Sequence, residues 1–103
     1  MEQVLKGTDI KFKVDVSGGE FDITRDSLEI EIYKGSSEVV KRFTKDDLVY
    51  SEDDGVYLLC IETKDLEPGR YDAVVYTHVE DGDFPDGERT EVNRITLLTV
   101  KKV

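Results

Sequence analysis

The chain has 103 residues, with 14 basic and 24 acidic side chains and a formal charge of −10. That length makes a single domain, residues 1–103, with enough core to fold unaided, and that charge argues against nucleic acid or anionic lipid as a partner. One cysteine excludes an internal disulfide, and one histidine beside it cannot build a His/Cys zinc site.

The N-terminus, Met1 to Gly7, has no basic region followed by a long apolar run, so no signal peptide is read there. No apolar run approaches the roughly 18 residues that span a bilayer. The expectation is a protein that stays in the compartment where it is made, unless a larger assembly carries it out. Val4-Leu5 reads as a short edge pairing. Ile10, Phe12, Val14 and Val16 then alternate with Lys11, Lys13 and Asp15, a strand with one face on a core and one in water. Ser17-Gly18-Gly19 closes it as a turn. Leu28, Ile30 and Ile32 alternate against Glu29 and Glu31 in the same way. Lys34 to Glu38 links this strand to a shorter one through Val39, Val40 and Phe43 as a hairpin. Thr44 to Leu48 holds one helical turn at most, and Leu48 to Tyr50 a strand fragment.

The next two strands are apolar on both faces, Val56 to Ile61 and Tyr71 to Val79, as in central strands. Cys60 within the first is expected to be buried. Leu66-Glu67-Pro68-Gly69-Arg70-Tyr71 joins them. Pro68 presets its φ, Gly69 supplies a positive φ, and Tyr71 is placed to return its hydroxyl to the corner backbone as in a tyrosine corner. Glu80 to Glu91 is expected to be the longest connection. The last strand runs from Ile95 to Val100, with a phase change at Leu97-Leu98 that predicts a bulge. Lysines on Lys11 to Val16 and on Ile95 to Val103 suit edge strands that resist random pairing.

Chemistry-bearing patterns are few. Asp81, Asp83, Asp86 and Glu88 offer oxygens at turn spacing for a hard cation, but Pro85 and Gly87 break the EF-hand pattern, and Asp-Gly pairs are ordinary turn formers. No metal or other cofactor is therefore expected. Phe84 is an aromatic in an acidic loop, either a lid on the core or an anchor for a partner, with Pro85 and Arg89 beside it. Tyr76 joins this set if its strand face is exposed. His78 stands without a nucleophile motif, and no P-loop, GxGxxG or GxSxG is present, so no enzyme is expected. Five tyrosines without tryptophan give a weak carbohydrate platform.

The order of these features has a family likeness. Lys6 to Val14, Phe21-Asp22-Ile23-Thr24, Tyr33-Lys34-Gly35, Asp54-Gly55-Val56-Tyr57 and Leu66 to Tyr71 resemble the small immunoglobulin-like domains of phage and prophage tails. In particular they resemble the N-terminal domain of baseplate upper proteins. Asp83-Phe84-Pro85-Asp86-Gly87 and Arg89-Thr90-Glu91-Val92 are similar to segments of small proteins from prophage-like regions of gut Bacteroidetes. The resemblance implies a structural subunit with no catalytic residues. The sequence thus predicts an all-β, immunoglobulin-like sandwich of seven to eight mostly antiparallel strands. Its expected role is a non-enzymatic tail or baseplate module that binds other protein subunits, copies of itself included. The alternative is a free-standing carbohydrate-binding or calcium-dependent module.

Overall fold

The computed structural model describes residues 2–16 and 20–103. The Ser17-Gly18-Gly19 turn lies outside them. Eight strands run in chain order: β1 Glu2–Leu5, β2 Asp9–Val14, β3 Ser27–Lys34, β4 Glu38–Thr44, β5 Val49–Ser51, β6 Val56–Glu62, β7 Gly69–Glu80 and β8 Glu88–Lys101. They form a five-stranded sheet in the order β1-β8-β7-β3-β4 and a three-stranded sheet in the order β2-β6-β5. Every pairing is antiparallel except that of β1 with β8. The chain is all-β, and Lys45–Asp47 and Thr63–Asp65 are single 3-10 turns.

Alternation decides which side chains meet. Leu28, Ile30 and Ile32 of β3, Tyr71 and Ala73 of β7, and Leu98 and Val100 of β8 are buried together with Tyr57, Leu59 and Ile61 of β6. The two sheets therefore share one core. Ile10, Phe12 and Val14 of β2 pack against it half-buried, because β2 is an edge strand. The expected bulge is present. Tyr71 faces Leu98 while Asp72 faces Thr96, so Leu97 is the extra residue, and both leucines are buried.

The corner before β7 also forms as read. Gly69 has φ 151°, a conformation that side chains rarely adopt, and a Cβ there would lie 3.3 Å from Lys34 Cε. The Tyr71 hydroxyl donates to the Glu67 carbonyl at 2.5 Å, and its ring is 1% exposed. Two buried polar residues fasten loops to the sheets. Thr63 donates to the Thr8 carbonyl at 2.7 Å and accepts from the Gly7 amide at 3.0 Å, tying the β1–β2 turn to the end of β6. Asp26 accepts from the amides of Asp22 and Glu80 and from Arg25, tying the Asp22–Arg25 turn to the end of β7.

Three expectations are corrected. Cys60 is exposed, because it sits on the outward face of β6 opposite Lys11, where nothing covers it among the described residues. The long connection shrinks to residues 81–87, since Glu80 and Glu88–Glu91 extend the β7–β8 ladder. Those residues are polar on both faces because the strands there project past the core, and polarity alone reads as loop. The unpaired edge of β8 is also displaced. Its Leu98–Lys101 end is covered by β1, which leaves Glu88 to Ile95 paired on the β7 side only among the described residues.

Candidate functional site

The outward face of the five-stranded sheet holds the most organised group of polar and aromatic side chains. Cross-strand register brings Glu31 of β3 opposite Arg42 of β4 and Val74 of β7, and Val74 in turn opposite Arg94 of β8. The Glu31 carboxylate accepts from the Tyr76 hydroxyl at 2.8 Å, the Tyr33 hydroxyl at 3.1 Å and Arg42 Nε at 3.0 Å. The bond from Tyr76, then that from Arg42, holds its carboxyl below the usual carboxylate range. The same carboxylate beside it pushes the Tyr76 phenol up to about 12. Both groups therefore keep one charge state across neutral pH.

A second carboxylate anchors the other half of this face. Arg94 Nε donates to Asp72 at 3.1 Å, and its guanidinium lies 4.9 Å from the centre of the Tyr33 ring. Its outer nitrogen reaches the carbonyls of Gly35 and Ser36, so the β3–β4 turn is drawn onto β8. Arg70 sits 3.6 Å from Asp72 and donates to Thr96. Val74 lies under these side chains and is 5% exposed although it points away from the core. The acids are recessed and the cations project. Glu31 and Asp72 side chains are 17% and 14% exposed, against 73% for Arg42 and 58% for Arg70. Within a chain of net charge −10 this face presents arginine and tyrosine outward.

Among the expected contact residues, only Tyr76 lies on this face. Phe84, 45% exposed, and Pro85 stand at the tip of the β7–β8 hairpin. The tip closes on itself through the Phe84 amide to the Asp81 carbonyl and the Gly87 amide to the Phe84 carbonyl. Arg89 points to the opposite side of the sheet, opposite Val79, and pairs with Asp81 at 3.1 Å. The four residues are thus not gathered into one patch. The candidate cation ligands Asp81, Asp83, Asp86 and Glu88 share the tip. Asp81 caps the Asp83 amide and holds Arg89, and Asp86 caps the Glu88 amide. Among the described residues no three His, Cys, Asp or Glu side chains come together as a metal site. His78 meets the Thr90 hydroxyl at 3.0 Å.

Glu31, Tyr33, Arg42, Asp72 and Arg94 were not legible as a group. Glu29 and Glu31 read as a solvated strand face. The available signal was the hairpin around Gly35, which sets an acid of one strand opposite an arginine of the next. No protein-family model matches this chain, and no curated protein or solved structure matches it significantly.

Proposed function

We propose that this protein is a non-enzymatic structural and interaction module, built as an immunoglobulin-like sandwich, that docks a protein partner on the tyrosine–arginine face. The strand orders support the fold reading. In immunoglobulin lettering β2-β6-β5 corresponds to B-E-D, β8-β7-β3-β4 to G-F-C-C′, and β1 to a short A′ strand beside G. Tyr71 then stands at the E–F corner at the start of strand F, where a tyrosine corner belongs. The resemblance to phage and prophage tail domains supports a place in a tail or baseplate, among other structural subunits.

The observation that carries the docking reading is the fixing of Tyr33, Tyr76, Arg42 and Arg94 by two recessed carboxylates. Tyrosine and arginine dominate interface energetics, and side chains already held in place lose little freedom on binding. The projecting arginines suit a partner surface that carries carboxylates. The test uses the protein as immobilised bait in lysate of the cells or virions that contain it. Arg42→Gln with Arg70→Gln should reduce the recovered partner at least tenfold while the circular-dichroism spectrum of the fold is retained. Undiminished recovery by that variant contradicts the reading.

A further inference from the structure

The tyrosine–arginine face and the β7–β8 tip lie apart on one chain and complement each other between chains. Residues 80–88 carry five acids and no base. Glu80 and Asp81 are met by Arg25 and Arg89, which leaves Asp83, Phe84 and Asp86 exposed together at the end of the hairpin. Backbone bonds hold the tip in shape, and the Asp81 and Asp86 side chains accept from the Asp83 and Glu88 amides. The tip thus presents an aromatic ring between two carboxylates on a preformed turn, which loses little freedom on binding.

The face offers the counterpart. Arg42, Arg70 and Arg94 are 73%, 58% and 41% exposed, above the recessed Glu31 and Asp72. Arg42 gives only Nε to Glu31, so its outer nitrogens have no partner among the described residues. Exposed Glu29 stands at the border of the patch, opposite Tyr76 and away from Arg70. One chain cannot bring its own tip here. β7 and β8 stay paired as far as Glu80 and Glu88, and the stretch of β7 from Val74 to Glu80 holds the tip about 20 Å from the row of Arg42 and Arg94. A second chain can, despite a net charge of −10 on each. At physiological ionic strength, charges farther apart than about 8 Å are largely screened, so the local signs decide.

We propose that the hairpin tip of one copy docks on the tyrosine–arginine face of the next, with Asp83 and Asp86 on Arg42 and Arg70 and with Phe84 against Tyr33. The contact rests on that face being a docking surface, and adds which surface it receives. It is heterologous, because each copy contributes a face to one neighbour and a tip to the other, so copies add head to tail into a ring or a filament. A hairpin tip covers little area, which places the contact among weak interfaces that fill at high local concentration.

Two variants divide the contact. Arg42→Gln with Arg70→Gln keeps the tip and loses the face, and Asp83→Ser with Phe84→Ser keeps the face and loses the tip. All four side chains are exposed, so both variants should fold. Should the face variant fail to fold, Arg42→Gln alone takes its place. Sedimentation velocity up to millimolar concentration should show the unaltered chain growing past a dimer and each variant alone as a monomer. Their equimolar mixture should form a dimer that grows no further. With nitrogen-15 in the tip variant, adding the face variant should shift the amides of Tyr33, Arg42 and Arg70. An unaltered chain that stays monomeric, equal self-association of both variants, or a mixture that grows past the dimer overturns the proposal. Recovery of a different protein through Arg42 and Arg70 by a chain that stays monomeric keeps the docking reading and sinks the second copy as its partner, so the two fail separately.

Discussion

At the scale of single residues, the polar groups of the buried Tyr71, Thr63 and Asp26 each fasten two segments. The Tyr71 hydroxyl closes the corner on the Glu67 carbonyl. Tyr71→Phe removes that bond and keeps the ring, so it should cost about 1 kcal/mol, roughly 5 °C in melting temperature for a domain of this size. The circular-dichroism spectrum should not change, and an unchanged melting temperature would remove the bond from the account. Asp26 carries a pH signature. The bond from Arg25, with those from the Asp22 and Glu80 amides, holds its carboxyl well below the usual carboxylate range. A depressed folded-state pKa adds stability that is complete above the unfolded value near 4 and is lost as pH falls below it. Melting temperature measured from pH 6 to pH 2 should fall less steeply for Asp26→Asn than for the unaltered chain. Tyr71 was legible because Pro68, Gly69 and the following strand state the corner locally. Asp26 was not, since its partner amide at Glu80 is 54 residues away.

At the scale of elements, period two was the legible signal and strand length was not. The doubled leucine at 97–98 disclosed the bulge, because two successive buried residues break the alternation. Beyond it β8 leaves the core, and Ile95 is half exposed. Leu97→Ala should therefore cost about 2–4 kcal/mol, while Ile95→Ala should cost well under about 1 kcal/mol. Urea denaturation midpoints distinguish them, and equal losses would contradict the bulge geometry. The Glu88–Glu91 stretch was misread as loop. It is strand by pairing with β7 alone, with no apolar alternation to announce it. Cys60 failed differently. An apolar run identifies a central strand, but β6 is central in a sheet whose outer face is open, so its outward positions stay exposed.

At the scale of the whole molecule, two unequal sheets share a core, and the larger one projects past the smaller. Two surfaces follow from that inequality. One is the flat outer face where Glu31 and Asp72 hold tyrosines and arginines in place. The other is the acidic hairpin tip, carried clear of the core. The all-β class and the number of strands were readable from alternation and turn residues, whereas the limits of β7 and β8 were not. The outer-face group was not, because it depends on which strands become neighbours, a fact carried by register rather than by any local run. The measurement that tests the central claim most directly is photocrosslinking in the cells that make the protein, with a benzophenone side chain placed singly at Arg42, Cys60 or Phe84. The account predicts a protein adduct from position 42 and none from position 60, which faces out from the other sheet. Adducts from position 60 or 84 with none from position 42 would contradict it.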